Sequence, residues 1–324
     1  MKSYLQQILG AQQTISPVAL NTPLVLSHVL SDVFGFRVYL KLENLQVTGA
    51  FKIRGCFNKM ANLPKRTSGI VAASSGSHGI ASAFAAKLCG FEAKVVMPST
   101  SPEVKRKRVK GYGASLIIHG TTYDDAYEVA KDMAAEEGKV FVPSFDDLDI
   151  VLGQATIALE IAQQLPDVDF VAAPIGGGGL YAGLLLAFAE LKPELAVWGV
   201  QAEGAPSMAV SVNSGRIERL ASISTVADAI AVKAPGKVPF EIIHRYSSGI
   251  ATVSDDAIVE ATGRLALWAK VMAEPAAAAA LAVDWTSVLG HKPKEAVFVI
   301  SGGNVSKEVL AKAMAEVSDW PAFV

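Results

Sequence analysis

Lys52 stands between an aromatic and a β-branched side chain in the run Gly49-Ala50-Phe51-Lys52-Ile53-Arg54-Gly55, just inside a predicted helix start. Burial penalises the charged form of an ammonium, so such neighbours ease the loss of its proton. The neutral amine can then form a Schiff base with a carbonyl compound. Taken alone, a lysine reads more simply as a solvated surface charge. Three other segments change that reading, each a predicted strand followed by a glycine- or serine-rich turn and then a helix.

The first is Gly176-Gly177-Gly178-Gly179, followed by Leu180. Four glycines remove every side-chain obstruction, so backbone N–H groups can converge on an anion at the helix's positive end, and a phosphate is the natural guest. Tyr181 occupies the place of the third glycine of a dinucleotide fingerprint, and no Gly-Lys-Ser/Thr ending follows, so neither nucleotide motif is present. The second is Ser74-Ser75-Gly76-Ser77-His78-Gly79, whose hydroxyls and amides suit a carboxylate. Alone it is an N-cap with a serine-rich turn, and His78 reads as a hydrogen-bonded structural residue. The third is Ser301-Gly302-Gly303-Asn304, which places a hydroxyl at a strand's carboxyl end, where it can bond a neutral heterocyclic nitrogen; alone it is an ordinary tight turn. An amine for an aldehyde, a phosphate cup, a carboxylate turn and a neutral nitrogen partner together fit pyridoxal phosphate with an amino acid substrate.

The elements that must position these groups alternate. Predicted strands at 38–42, 70–73, 94–97, 115–118, 140–142, 170–174, 197–201, 250–253 and 296–300 are separated mostly by helical patterns, which argues for open, mostly parallel sheets flanked by helices. In such sheets ligands bind beyond the carboxyl ends of the strands. A chain of 324 residues is long for one core, so two lobes are expected. Polar, proline-bearing zones at 62–69 and 143–149 divide it into a large cofactor-binding domain, 1–62 with 147–324, and a small mobile domain, 63–146. The helix after the 74–79 turn is expected to bury Ile80, Phe84 and Leu88. The alanine cluster 276–280 reads as a helix packed closely on a neighbour.

Composition excludes several classes. A net charge of −2 gives no reason to expect a polyanion partner. The one basic run, Lys105-Arg106-Lys107-Arg108 with Lys110, lacks interleaved aromatics and reads as a solvated helix face, not a nucleic-acid site. Apolar stretches near 184–189 and 276–283 are too short to span a bilayer. Two cysteines, Cys56 and Cys89, form no metal or disulfide pattern and suit a reducing compartment. With no signal-peptide pattern at the N-terminus, a cytoplasmic protein without membrane contact is expected.

The chain resembles the fold type II pyridoxal-phosphate enzymes, the tryptophan synthase β-like class, in the branch of threonine/serine dehydratases and serine racemases. The resemblance runs from Thr22-Pro23-Leu24 to the SGGN turn and rests on LKLEN (40–44), GAFKIRG, SSGSHG, GQATIALEI (153–161), PIGGGGL (174–180), AEP (273–275) and SGGN. VQAEGAPSMAVSVNSG (200–215) is most similar to single-domain biodegradative threonine dehydratases, and no room is expected for a regulatory domain. By this resemblance Lys52 would hold the cofactor and later act as the α-proton base, with Phe51 near the ring. Gly176, Gly177, Gly178, Gly179 and Leu180 would bind the phosphate, and Ser301 would contact the ring nitrogen. Ser74, Ser75, Gly76 and His78 would surround the substrate carboxylate, and Ser75 also stands where racemases put their second base. Ser77 replaces the usual Asn near the cofactor's phenolic oxygen. Ala155 and Ala229 replace common glycines and could narrow the pocket. Gln201 and Ser207 replace acidic ligands of the racemase-type cation site, so no metal is expected. A homodimer is implied.

The expected activity is dehydration and deamination of a β-hydroxy amino acid such as L-threonine or L-serine to a 2-oxo acid and ammonia. Racemisation through Ser75 and a 3-hydroxyaspartate ammonia-lyase are alternatives; the latter needs a cation for the distal carboxylate. β-Replacement fits the motifs less well. A nicotinamide dehydrogenase conflicts with the glycine spacing, and a non-catalytic amino acid sensor would bind ligand without exchanging its α-proton.

Overall fold

The computed structural model describes residues 3–317. Ten strands lie among them: β1 (Leu24–Leu26), β2 (Arg37–Leu42), β3 (Gly69–Ala73), β4 (Glu92–Met97), β5 (Ser115–Ile118), β6 (Val140–Phe141), β7 (Phe170–Pro174), β8 (Ala196–Ala202), β9 (Gly249–Val253) and β10 (Glu295–Ile300). They form a six-stranded sheet in the order β1-β2-β10-β7-β8-β9 and a four-stranded sheet in the order β5-β4-β3-β6. Every pairing is parallel except β1 with β2. β3 and β7 are buried at every position, the signature of strands covered on both faces. β1 escapes the sequence reading because three residues, none fully buried, carry no clear period and its only support is the distant β2.

Helix Leu148–Gln164 is the central post. Asp147 caps it by accepting from Ile150 N at 3.2 Å. It packs on helix Lys52–Ala61 with almost no space between backbones. A Cβ on Gly153 would lie 2.6 Å from Arg54 O and from Gly55 Cα, and one on Gly55 would lie 2.4 Å from Gln154 Nε2. Ala155 is fully buried on the same post, in the main core cluster and away from the cavity described below. Its methyl therefore belongs to helix packing and does not narrow a pocket.

Three sequence expectations are revised. Helix Ser77–Cys89 buries Ile80, Ala81, Ala83, Ala85 and Ala86, whereas Leu88 is 49 % exposed; the alanines, not the large side chains, fill its packed faces. The cluster near 276 is a short helix, Pro275–Ala278, that tightens into a 3-10 turn, Ala279–Leu281, and is buried throughout. The basic run does not form one solvated face. Lys107 and Lys110 are exposed, but Lys105 is buried and donates to Asp228 Oδ2 at 3.1 Å, and Arg108 donates to Asn304 Oδ1 and Thr48 O. Residues three apart on a helix share a side, so Lys105 and Arg108 reach across to the six-stranded sheet's side together.

A buried ion network joins three segments. Lys41 of β2 donates to Glu160 Oε2 at 2.6 Å and to Thr22 O at 2.7 Å. Arg54 donates to Glu160 Oε1 at 2.6 Å and to Glu43 Oε2 at 2.8 Å, and Thr22 Oγ1 donates to Glu43 Oε1. Burial works against the Glu43 charge, but the Arg54 guanidinium, the Thr22 hydroxyl and the Lys41 ammonium together outweigh it and hold the carboxyl below its usual range. Removing one member of such a set strands its partners. Glu160→Ala, which leaves Lys41 and Arg54 with an unbalanced buried charge, is expected to destabilise the fold by about 3–5 kcal/mol in urea unfolding; a loss below about 1 kcal/mol would show that the network carries little stability.

Candidate active site

The carboxyl ends of β3, β7 and β10 and the start of helix Lys52–Ala61 open onto one cavity between the two sheets. Its lining includes Phe51, Lys52, Ser74, Ser75, Gly76, Ser77, His78, Gly176, Gly177, Gly178, Gly179, Leu180 and Ser301. Every residue that the sequence marks for cofactor or substrate thus meets the others in one place.

Lys52 is the first residue of its helix. Its Nζ donates to Ser144 O at 3.0 Å and sits 5.0 Å from the centre of the Phe51 ring. Burial pushes its pKa down to about 8, against a weaker pull from the fields of Cys56 and Glu274. The amine is therefore neutral in a large fraction of molecules under mildly basic conditions.

The turn after β3 is built by Ser74, whose Oγ accepts from Gly76 N at 2.9 Å and Gly79 N at 2.8 Å. That leaves the amides of Ser75, Ser77 and His78 without a backbone or side-chain acceptor among the described residues, at the positive end of helix Ser77–Cys89. The His78 ring is fully committed. Nε2 lies 3.0 Å from Val142 O and must carry the proton; Nδ1 then accepts from Cys56 Sγ at 3.4 Å. Burial and the nearby Lys52 charge hold the ring neutral, with its pKa pushed down to about 3. His78 can serve an anion through its amide, not through its ring.

The glycine loop has the shape of a cup. Gly178 has φ +102°, in the left-handed region where glycine is favoured. A Cβ on Gly177 would fall 2.4 Å from the Phe145 ring. The amides of Gly177, Gly178, Gly179 and Leu180 have no partner among the described residues and open helix Gly179–Leu191. Gly177 O, in contrast, accepts from Gly236 N at 3.1 Å, which fixes the loop from behind.

On the opposite wall, Ser301 O accepts from Phe51 N at 3.0 Å, and an isolated bridge joins Ala50 to Gly302. These contacts bring Ser301 alongside the segment that carries Lys52. Asn304 Nδ2 donates to Ser77 Oγ at 2.9 Å and to Thr48 O at 3.1 Å. Ala229 does line the cavity, and a Cβ added at Gly176 would come within 3.4 Å of its carbonyl oxygen. Gln201 and Ser207 lie outside it; the Gln201 amide is taken up by Ile175 O and Ala209 N.

The sequence alone gives no role to Lys105, Tyr123, Ser144, Asp228 or Glu274, all of which line the cavity. Glu274 is visible there only as part of AEP. Lys105 is hidden in a basic run. Ser144 acts through its carbonyl, which no side-chain pattern reveals.

The cup, the depressed amine and the neutral hydroxyl are the three features that a phosphorylated pyridine aldehyde requires, and the open backbone of the glycine loop leaves room for its phosphate. Comparison with known proteins agrees: the profile of the pyridoxal-phosphate dependent enzymes matches residues 15–302. The chain belongs to this family. It is 43 % identical to the L-threonine ammonia-lyase of Thermotoga maritima over 308 residues, 94 % of this chain and 77 % of that one. It is 36 % identical to the catabolic L-threonine dehydratase of Escherichia coli K12, covering 99 % and 96 % of the two chains. The structure of the processed threonine deaminase isoform 2 of Solanum lycopersicum superposes with a TM-score of 0.91 at 33 % identity, over 97 % of this chain and 92 % of that one. Pyridoxal phosphate is the family's cofactor.

The depressed Lys52 pKa has a kinetic consequence. Only the neutral amine attacks the cofactor's aldehyde, so the rate of cofactor uptake by apoprotein should climb with pH, about tenfold per unit at first. It should level off above about 8. Stopped-flow absorbance of the apoprotein mixed with pyridoxal phosphate reads this rate; a rise that continues toward the ordinary lysine range would contradict the buried-amine description.

Proposed function

We propose that this enzyme is a pyridoxal-phosphate-dependent ammonia-lyase that converts a β-hydroxy amino acid, L-threonine or L-serine in the first instance, to its 2-oxo acid and ammonia. The observation that carries the reading is the meeting of Lys52, the 74–79 turn, the glycine loop and Ser301 in one cavity. When bound, the cofactor supplies an aldehyde for amines and a sink for the electron pair left at the substrate's α-carbon. Its phosphate would rest on the amides of the glycine loop, with Leu180 opening the helix behind it.

The chain's own groups divide the remaining work. The amides of Ser75, Ser77 and His78 anchor the substrate carboxylate. Lys52, neutral once free, takes the α-proton on Nζ. Phe51 and Phe145 wall the cavity with apolar surface and exclude water, which strengthens every polar contact inside. Ser301 offers a hydroxyl to the pyridine nitrogen; unlike a carboxylate it cannot hold that nitrogen protonated, which limits charge flow into the ring and favours loss of the β-hydroxyl over transamination. Ser77, its oxygen already accepting from Asn304, keeps its own proton free and would donate it to the cofactor's phenolic oxygen. Ser75, which also lines the cavity, would serve as the returning acid in any racemisation.

The small lobe, 63–146, is read as the moving part. Polar contacts that would have to adjust cross to the larger lobe, 1–62 with 147–324, near the cavity, among them Lys105 with Asp228, Arg108 with Asn304 and Thr48 O, Ser77 with Asn304, and Ser144 O with Lys52. We also read the enzyme as a cytoplasmic homodimer. No helix among the described residues is long and apolar enough to cross a membrane, and both thiols are free. Leu45 and Met272, 52 % and 57 % exposed, flank the Asn44–Met272 O contact and present apolar surface to a second copy. Sedimentation should give twice the mass of one chain; a monomer at micromolar concentration would refute the dimer.

Incubation of the holoenzyme with L-threonine, L-serine and 3-hydroxyaspartate, reading 2-oxo acid and ammonium, tests the activity. Oxo acid is expected from at least one of the first two, and K52A should fall by roughly a thousandfold or more. Absence of oxo acid from all three would reject the assignment.

A further inference from the structure

Glu274 has no task in the scheme above. It is 4 % exposed, it shares the cavity with Lys52 and Ser301, and Oε2 has no hydrogen-bond partner among the described residues. Its backbone is anchored beside the Ser301 turn. Its backbone N–H donates to Gly302 O at 3.0 Å, Pro275 begins the following helix, and Oε1 lies 2.5 Å from where a side chain on Gly302 would start. Buried polar atoms nearly always have partners, so an unpartnered oxygen on a carboxyl that lines a binding cavity points to a proton or a partner that arrives with the ligand.

The charges around it do not supply that partner. Lys105 is committed to Asp228 Oδ2 at 3.1 Å, and Lys52 donates to Ser144 O at 3.0 Å. Burial dominates and raises the Glu274 carboxyl to about 7, with Lys105 and Lys52 drawing it down and Asp228 pushing it up. An amino acid enters as a zwitterion and brings an ammonium, a further cation, into a cavity where Lys52 has to end as a neutral amine.

We propose that Glu274 is the proton acceptor for the substrate's α-ammonium, which makes it a substrate-binding residue of the proposed reaction. The ammonium's N–H bond breaks with the electron pair remaining on nitrogen, and an O–H bond forms on the Glu274 carboxylate. One cation and one anion become two neutral groups. The buried site gains no charge, and Lys52 is spared a proton that would block its own role. The inference rests on the reading that an amino acid binds here.

The experiment uses L-alanine, which has no β-leaving group, with the holoenzyme at about pH 8, above the Glu274 midpoint and within reach of the amine's own ionisation. Titration calorimetry in phosphate and in Tris counts protons passed to buffer. Wild type should release few; E274Q, equal in shape but unable to accept, should release close to one more per site. E274D, which restores an acid, should return the count toward that of wild type. Infrared difference spectra of wild type should gain a protonated-carboxyl C=O band when L-alanine binds, and E274Q should not. In turnover of L-threonine, the acidic limb of kcat/KM should move up by more than about one pH unit in E274Q. Equal proton counts in wild type and E274Q, or no carboxyl band in wild type, would overturn the role of Glu274 and leave the amino acid reading standing. Failure of L-alanine to bind wild type would overturn both.

Discussion

The buried network of Lys41, Glu43, Arg54 and Glu160 fixes where the reactive amine can stand. Arg54 lies two residues after Lys52 on the same helix and is held from two sides, by Glu43 beyond β2 and by Glu160 on the central post. The crossing of Gly55 and Gly153 closes the remaining freedom, since neither backbone can withdraw without opening a void. Helix Lys52–Ala61 is thus clamped by charge on one side and by backbone contact on the other. Replacing such a network with apolar side chains need not weaken a fold. What it offers here is direction: Arg54 Nη2 alone meets Leu20 O, Glu43 Oε1 and Glu160 Oε2, so a shift of the helix would break several contacts at once.

The cavity depends on that placement. With Lys52 placed, its Nζ meets a carbonyl and an aromatic face but no carboxylate at bonding distance, and desolvation is left to act on it. The same principle runs round the site. His78 is held neutral by burial, Ser301 contributes a hydroxyl where an acid could stand, and the two turns present free amides, not cations. The charges nearest the cavity are either tied to each other across the lobes, as Lys105 and Asp228 are, or poised near neutrality, as Glu274 is. A site built this way adds little reorganisation when charge develops on a bound substrate.

How much of this is legible in the chain follows from range. β7 and β10 are legible because unbroken apolar runs bounded by glycine turns admit few alternatives. Lys52 and the four glycines are legible because their chemistry is local: a flanked lysine and a glycine string are rare within seven residues. The ion network is not, although all four of its residues lie in motifs that carry the family resemblance; pairing Lys41 with Glu160 needs the helix post to pass behind β2, and no local period encodes that. Lys105 escapes for the same reason, since only the approach of the two lobes distinguishes it from Lys107 on the same helix. Ala155 reads as a pocket residue because its neighbours in sequence are motifs of the cofactor-binding lobe, whereas its side chain turns into the helix crossing. The alanine-faced helix after the 74–79 turn shows a further limit: periodicity weighted toward large side chains misses a face built of small ones packed close to their neighbours.

The central claim is that one clamped, desolvated amine carries the cofactor. Borohydride reduction of the holoenzyme, followed by proteolysis and mass spectrometry, tests it without relying on turnover. The account predicts a single phosphopyridoxyl adduct, on the peptide that contains Lys52. An adduct on another lysine, or an unmodified Lys52 peptide from fully reduced material, would contradict it.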